Sequence, residues 1–471
     1  MKFIKIFLLT TFLLTAVTEA QTIGDALRLS ESGLGVGARA LGMGNAYSAI
    51  SDDGSAMYFN PAGLGLMKRL EVAGGLDYFN FKNDATLFNN KTNYSSSATN
   101  FNQIGFVFPF PTLRGSLVFG MAYNKTKDLT SALKFDGFNI GNHSMVQYLA
   151  IDGPVPFDLY LTDDNGDVSV INGKLNQSGT TLQEGGLESW TFSSAMEVSK
   201  NLYVGGSLNV NSGTFKSNRE YYEDDTKGIY DTVETAPGNP STKNFITFYR
   251  NDIIDWEISG WDLKLGTMYQ LSKFARFGAT IQFPKTFTIK EAYDFNASSE
   301  FGSVIYESTY SDKVEYDITT PFAFTGAVSF NVKGLILSAE ANLTDYTQTK
   351  FSNPKGISAT DLASLDKDMK ELLRAVATLN IGIEYTIPEV GIRVRGGFIS
   401  QPSPYKDDPS DFNKKYLTGG VGFLADETFA IDVAYAHGWW KTYGDNYGTN
   451  LSRIYQDISN DKMLVTFSYR F

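Results

Sequence analysis

Alternation of apolar and polar residues is the dominant pattern along this chain, and it is clearest at the C-terminus. A repeat of two residues predicts a β-strand, because successive side chains point to opposite faces. In the segment 461–471 the apolar face consists of Met463, Val465, Phe467, Tyr469 and Phe471, and it opposes Thr466, Ser468 and Arg470. Such strands are typical of membrane barrels, although a soluble β-sandwich has strands of the same kind.

The same pattern recurs and predicts about fourteen strands, an even number as bacterial barrels require. Short connections between these strands alternate with long ones, which is typical of periplasmic turns and external loops. The fold class predicted is all-β: a transmembrane antiparallel barrel. We expect strands near 70–82, 99–110, 113–124, 187–199, 201–215, 252–270, 275–290, 313–331, 334–348, 374–387, 390–400, 415–424, 428–441 and 461–471.

Charged residues in these strands fall on the face opposite the apolar one. Ile392 and Val394 oppose Arg393 and Arg395, and Arg276 opposes a row of apolar residues in the same way. An Arg or Lys facing lipid at mid-depth costs roughly 2–4 kcal/mol, so these side chains should point into the lumen. Trp439 and Trp440 are assigned to the aromatic girdle at the membrane interface.

The N-terminal part of the chain lacks the strand pattern. Residues 1–20 combine Lys2 and Lys5, an apolar stretch and a small-residue cleavage site, which predicts a signal peptide and export. Residues 33–66 are rich in Gly and Ala and end near Asn60-Pro61-Ala62, which breaks regular structure. We therefore divide the chain into a signal peptide (1–20), a plug that we call the hatch (21–68) and a barrel (69–471), and we place the start of the glycine-rich block on the periplasmic side.

Composition excludes several classes of protein. After the signal segment no run of about 18 apolar residues offers a transmembrane helix. The net charge of -12 and the lack of a basic stripe argue against nucleic acid as a partner. The chain has no cysteine, and neither His143 nor His437 has a second metal ligand at useful spacing, so no metal and no cofactor is expected.

The block 41–64 carries a family resemblance. A signal peptide, the sequence LGVGARALGMGNAYSAISDDGSAMYFNPAGL and a strand-rich chain with an aromatic end resemble the FadL/TodX family of outer-membrane transporters of hydrophobic compounds. The resemblance implies a fourteen-stranded barrel in the outer membrane of a Gram-negative cell, in contact with its lipid. It also implies a hatch that includes Asn60, Pro61 and Ala62, with Gly42 and Gly44 in the same block. The aromatic C-terminal strand is similar to those that the barrel-assembly machinery reads.

The function that follows is passive uptake of a hydrophobic molecule, such as a long-chain fatty acid or an aromatic hydrocarbon, and not an enzymatic one. A fatty acid would need a cation in the lumen to balance its carboxylate. The candidates are Arg393, Arg395, Arg276 and Lys264, each of which could instead form a structural salt bridge with Asp262, Glu340, Glu384 or the hatch residues Asp52 and Asp53.

Two alternatives remain open from the sequence. Similar Gly-Ala-Arg-Ala openings occur in a related group of partner-binding adaptor barrels of Bacteroidetes-type secretion systems. A hydrolase would need Ser or Asp beside His437.

Two connecting segments differ from ordinary polar loops. The longest, 125–186, includes apolar residues between 146 and 160, which could form either a docking groove for the ligand or the loop's own small core. The segment 359–375 has Leu and Met near helical spacing, with Asp361 near its start, and predicts a short external helix at the barrel mouth.

Overall fold

The computed structural model describes residues 22–152, 154–163, 165–166, 168–425 and 428–471, so the predicted signal peptide lies outside the described residues. Fourteen antiparallel strands close into a barrel, as the sequence predicts, and β1 pairs with β14 from Glu71↔Arg470 to Thr86↔Tyr455. The strands are β1 (Glu71–Leu87), β2 (Asn90–Phe110), β3 (Leu117–Asp128 and Ser131–Phe138), β4 (Asn176–Ser199), β5 (Leu202–Asp224), β6 (Phe245–Ser272), β7 (Ala275–Gln282 and Thr286–Phe301), β8 (Val304–Thr319 and Ala323–Val332), β9 (Leu335–Asp345 and Lys350–Lys355), β10 (Ala375–Ile387), β11 (Ile392–Gln401), β12 (Lys414–Ala425), β13 (Phe429–Asp445) and β14 (Arg453–Arg470).

The outer wall of the barrel is an apolar belt, and the inner wall is polar. On β7, Phe277 and Ile281 are exposed on the outside while Thr280 between them is buried inside. On β11, Val394 is exposed and Arg395 is buried, so the predicted alternation of faces is confirmed. The arginines point inward because water-filled or protein-filled space stabilises their charge, whereas lipid does not.

The barrel is much taller on one side than on the other. A membrane-spanning strand needs about 9–11 residues, and β11 has 10, but β6 has 28 and β4 has 24. The extra residues of the long strands lie beyond the ends of the short strands, on the side of the barrel opposite the tight turns. We call this part the extracellular extension, since the turn lengths place it outside the cell.

The extension corrects three of the predicted loops. The expected loop between β1 and β2 is replaced by longer strands and a two-residue turn, in which Phe88 and Asn89 both have positive φ. A similar turn at Gly302 joins β7 to β8, and the long segment 125–186 shrinks to 139–175. The sequence pattern missed these strand ends because outward residues such as Asp84 and Thr86 are polar there while inward Ala85 and Leu87 are apolar, the reverse of the pattern within the membrane.

Among the described residues, six α-helices lie inside the barrel or at its mouth: α1 (Ile23–Ser30), α2 (Ala38–Gly42), α3 (Ala56–Phe59), α4 (Met145–Asp152), α5 (Val155–Asp158) and α6 (Ala359–Leu372). The predicted external helix is thus confirmed as α6, which Ser358 caps at its N-terminus. No helix in the described ranges is both long and apolar enough to cross a membrane.

The hatch fills the lumen from above downward. Leu27 and Leu29 of α1 pack high in the barrel, in one cluster with Trp256 of β6 and Met369 of α6. The hatch ends near the tight turns, where Ser116 donates a hydrogen bond to the carbonyl of Gly65. Gly33, the first glycine of the block, packs against Thr126 and Lys127, well above the tight turn before Leu117. The expectation that the glycine-rich block starts on the periplasmic side is therefore wrong, because strand parity fixes where β1 begins but not where the preceding segment lies.

A second apolar core closes the extracellular extension. Val146 and Leu159 of the segment 139–175 are completely buried against Leu87 of β1, Phe135 of β3 and Phe248 of β6. The apolar residues of this segment therefore form a structural core together with the strand ends. We call the segment 139–175 the cap.

Candidate functional site

The Asn-Pro-Ala triplet anchors the lower end of the hatch to the barrel wall. The Asn60 side-chain amide donates hydrogen bonds to the carbonyls of Ser48 (2.9 Å) and Thr267 (3.0 Å), and its oxygen accepts one from the Ala62 amide (3.1 Å). Pro61 begins the turn Pro61–Leu66, where its fixed φ is tolerated. The Asn60 side chain thus joins two parts of the hatch to each other and joins the hatch to β6.

Glycines on both the hatch and the wall permit this close packing. Gly44 has a φ of 60°, and a Cβ there would lie 2.7 Å from the Ile381 carbonyl oxygen. A Cβ on Gly42 would lie 3.3 Å from the Cα of Gly420 on β12. Both predicted hatch glycines therefore lie where backbone meets backbone, which a larger residue would prevent.

An ion network beneath α2, which we call the hatch floor, joins the hatch to β10, β11 and β13. Arg39 binds Glu384 with two parallel hydrogen bonds of 2.9 and 2.8 Å and also contacts Asp52 at 2.5 Å. Arg395 lies between Glu384 at 2.6 Å and Asp432 at 2.7 Å. Paired bonds of this kind between guanidinium and carboxylate fix geometry as well as charge.

The predicted carboxylate-binding candidates lie in or near this floor. Arg395 is paired with Glu384, and Arg276 lies 3.1 Å from Asp52, as the salt-bridge alternative expects. Arg393 lines a small cavity of about 30 Å³ next to the floor. Lys264 is elsewhere in the lumen and donates a hydrogen bond to the carbonyl of Tyr58. The four candidates thus surround the hatch, and the structure does not bring them together around one cavity.

Charge pairing controls the ionisation of the hatch side of the floor. Burial works to raise the pKa of Asp52, but Arg39 and Arg276 outweigh burial and hold that pKa well below its ordinary value. Tyr47 supports the arrangement, because Arg39 donates to its hydroxyl (3.0 Å) and the hydroxyl reaches Asp53 (2.5 Å). The floor therefore keeps Asp52 charged.

A larger cavity with an aromatic wall lies above the floor, beside α1. Its volume is about 280 Å³, near the lower end of the roughly 300–1,000 Å³ of typical ligand sites. We call it the aromatic cavity. Its apolar wall is formed by Phe79 and Phe81 of β1, Tyr416 of β12 and Trp440 of β13, with Trp440 6.2 Å from Phe81 and 6.3 Å from Tyr416 between ring centroids.

Four cationic side chains also line the aromatic cavity, and each already has an oxygen partner. Arg28 pairs with Asp25, Lys414 with Glu31, and Lys462 with Asp77 at 3.2 Å. Lys127 donates to the backbone carbonyls of Arg28 (2.6 Å) and Glu31 (2.7 Å) at the end of α1. The cavity therefore offers aromatic surface directly, whereas an anion would have to displace an existing partner.

Trp440 corrects an assignment made from the sequence. Trp439 is exposed on the outer wall, as a girdle residue should be, but Trp440 faces the aromatic cavity. Adjacent residues on a strand point to opposite faces, so both could not face lipid. This rule, applied strictly, would have found Trp440 from the sequence, whereas Lys127 and Lys414 carry no comparable signal.

The barrel wall beside the aromatic cavity has a seam between β2 and β3. The backbone ladder of these strands ends at Gln103↔Asn124, and beyond it β3 pairs with β4 past an irregularity between Lys125 and Lys127. From there upward, side chains bridge the strands: Asn100 donates to Asp128 (3.2 Å), and Asn90 donates to the carbonyl of Asp136 (2.9 Å). The segment 128–130 of β3 borders both the seam and the cavity.

Two smaller cavities on the other side of the hatch are polar. Their volumes are about 110 and 70 Å³, and both are lined by Ser32, Tyr58 and Lys264, with Glu340 beside one and Asp262 beside the other. Residues 32–34 of the hatch separate the larger polar cavity from the aromatic cavity. The lumen therefore has a polar side and an aromatic side.

His437 has an aspartate beside it, but on the outside of the barrel. Its Nδ1 lies 2.8 Å from Asp461, and its ring stacks on Trp439 at 5.9 Å on the outer wall. An interfacial side-chain pair suits this position, and the pair has no access to the lumen. Within the described ranges no group of three or more potential metal-ligating side chains is found.

Comparison with known proteins identifies the fold. No protein-family model and no curated protein matches the sequence. The structure is similar to a FadL homologue from Pseudomonas aeruginosa, with a TM-score of 0.58, 11% identity, and 94% of this chain and 99% of that chain covered. It is also similar to the toluene transporter TodX from Pseudomonas putida (TM-score 0.56, 14% identity, 93% and 99% covered) and to the toluene transporter TbuX from Ralstonia pickettii (TM-score 0.51, 18% identity, 93% and 98% covered). The chain thus shares the fold of these proteins, and the resemblance seen in the sequence is confirmed at the level of the fold.

Proposed function

We propose that this protein transports hydrophobic molecules passively across the outer membrane of a Gram-negative cell. The observation that carries the proposal is the aromatic cavity, which lies inside a plugged barrel next to a seam in its wall. Transfer of a hydrophobic solute from water into such a cavity lowers its free energy, so capture needs no external energy source. The TodX and TbuX structures are described as toluene transporters, which agrees with an aromatic wall of this kind.

A neutral aromatic hydrocarbon suits the cavity better than a long-chain fatty acid. A volume of about 280 Å³ accommodates a small ring compound more readily than an extended acyl chain. A carboxylate would also have to take Lys414 from Glu31 or Lys462 from Asp77, and breaking a buried ion pair is costly. We therefore propose a neutral monoaromatic compound as the substrate class.

The exit route in this proposal is lateral, through the seam into the membrane. The floor beneath the hatch is closed by ion pairs, whereas the seam is held by side-chain hydrogen bonds such as the one from Asn100 to Asp128. Each such bond contributes only about 0.5–1.5 kcal/mol, or more where a charge takes part, so the seam opens at lower cost than the floor. A partner-binding adaptor would require neither the aromatic cavity nor the seam, so these two features favour transport over the adaptor alternative.

Replacement of Trp440 tests the cavity against a matched control. An aromatic contact contributes about 0.5–1.5 kcal/mol, so Trp440→Ala should reduce the initial rate of toluene uptake by about two- to tenfold at subsaturating concentration. Trp439→Ala removes the same side chain from the outer wall and should leave uptake unchanged. The measurement is uptake by cells expressing each variant at equal outer-membrane levels.

Two results would contradict this proposal. If cells with the unaltered protein take up toluene no faster than cells without it, transport of this substrate class is wrong. If both tryptophan variants lose uptake equally, the aromatic cavity is not the route.

A further inference from the structure

Among the groups that hold the cap on the barrel is a buried carboxyl group, that of Glu223 near the end of β5. Its side chain is completely buried, and its Oε1 accepts hydrogen bonds from the Met145 amide (2.8 Å), Gln177 Nε2 (2.9 Å) and the Tyr221 hydroxyl (2.9 Å). Met145 is the first residue of α4, so the carboxyl group holds the start of the cap helix. Three separate segments of chain therefore meet at Oε1.

The surroundings of Glu223 compensate a negative charge poorly. The donors to this carboxyl group are neutral, and they include a second cap amide, that of Val146, beside the Met145 amide. Glu223 lies more than 20 residues along β5 from the tight turn at its lower end, which places it in the extracellular extension and outside the membrane. Burial raises the pKa of Glu223 to about 7, against the opposing effect of its hydrogen bonds.

Other titratable groups around Glu223 lie on β5 itself, in the cap and on three further segments. Tyr447, between β13 and β14, accepts a hydrogen bond from Gln177 (2.5 Å) and contacts His143 Nδ1 (3.0 Å). Burial lowers the pKa of His143. The remaining neighbours are Tyr230, whose hydroxyl bonds the cap at Gly173 (2.9 Å), Arg250, which lies 4.0 Å from the sulfur of Met145 and is paired with Asp252, and Arg219, which contacts the ring of Tyr221.

We propose that Glu223 is a proton-dependent anchor of the cap: the closed cap holds Glu223 protonated, and loss of this proton favours release of α4 from the mouth of the barrel. The anchor controls access to the lumen whatever solute passes through it. Its test therefore does not depend on the transport proposal.

The direction of the effect follows from linkage between protonation and closure. When the cap opens, Glu223 meets water and its pKa returns to about the ordinary value of 4.5. Because the closed state binds the proton more tightly, closure is favoured at low pH, weakens as pH rises from about 4.5 to about 7, and levels off once both states are ionised. His143 acts in the opposite sense, since the closed cap disfavours its charged form and weakens as pH falls below about 6.5.

Hydrogen exchange of the α4 amides at pH 6 and pH 8 measures the opening directly. After correction for the intrinsic pH dependence of exchange, the two pKa values of Glu223 give an opening equilibrium about tenfold larger at pH 8. Glu223→Gln keeps the shape and the acceptor oxygen but cannot ionise, so its α4 amides should show no such increase. Glu220→Gln, a partly exposed carboxylate on the same strand, should respond as the unaltered protein does.

Two outcomes would overturn the anchor. One is equal corrected exchange at pH 6 and pH 8 in the unaltered protein, and the other is a Glu223→Gln protein that responds to pH as strongly as the unaltered one. If Glu223→Gln does not assemble, infrared difference spectra of the unaltered protein decide the question. A buried protonated carboxyl band must disappear between pH 6 and pH 8, and its absence at pH 6 contradicts the proposal.

Discussion

The hatch floor and the anchor of the cap both shield a carboxyl group from water, Asp52 in part and Glu223 completely, but they treat the charge in opposite ways. In the floor, Arg39 and Arg276 surround Asp52 and keep its pKa well below the ordinary value, so the carboxylate stays charged through the neutral range. In the cap, Glu223 meets only neutral donors, and burial raises its pKa to about 7. Burial alone therefore does not determine ionisation, because the partners decide which form is stable.

Because of this difference, closure at the hatch floor does not change around neutral pH, whereas closure at the cap does. Asp52 contributes stability above its ordinary pKa of 3.8, and this stability is lost only as pH falls below that value. Closure through Glu223 changes within the range around neutral pH. We expect the floor to close the barrel permanently and the cap and the seam to provide the motion.

Of the changes considered, deletion of the hatch should have the largest effect, because it removes the closed end of the lumen. A protein without residues 21–66 retains all fourteen strands and Phe471, so we expect it to assemble, but nothing would then fill the lower lumen. Its single-channel conductance in planar bilayers should exceed that of the intact protein by at least about tenfold. Unchanged conductance in a correctly assembled deletion would show that the hatch does not close the pore.

Replacement of Arg39 by Gln should open the floor in part. Glu384 and Asp52 would each lose a buried partner, and breaking a buried pair costs about 3–5 kcal/mol, although Arg395 and Arg276 remain. We expect brief conductance steps that the intact protein does not show. Lys91→Gln, which breaks an exposed pair with Asp84, is the control and should behave like the unaltered protein. A silent Arg39→Gln channel would mean that the ion network does not hold the hatch.

A smaller effect is expected where the hatch meets the wall at Gly266. A Cβ there would lie 2.1 Å from Asn60 Oδ1, so Gly266→Ala should push the triplet away at a cost of about 1–3 kcal/mol. Gly326 on β8 has open space around the corresponding position, and Gly326→Ala is the matched control. The measurement is hydrogen exchange of residues 56–66, which should become faster in Gly266→Ala alone. Equal protection in both variants would exclude the triplet as the lower anchor.

The barrel, its strand number and the inward direction of its charges could all be predicted from the sequence. These follow from local rules, since the two-residue repeat sets the face of each side chain and lipid rejects charge on one face. The special character of residues 33–66 and the helix at 359–372 were also visible, because glycine content and helical spacing are local features.

The roles of the inward charges depend on contacts that the sequence pattern does not reveal. Arg276 pairs with Asp52, which lies 224 residues away in the sequence. Glu384 is the cross-strand neighbour of Arg395 in the β10–β11 hairpin, but it also binds Arg39, which lies 345 residues away. The aromatic cavity needs β1, β12 and β13 to meet beside α1, and the seam depends on where one backbone ladder stops. The charge of Glu223 likewise depends on a helix that begins 78 residues earlier in the chain. Such properties arise from contacts between distant segments, which a one-dimensional pattern does not record.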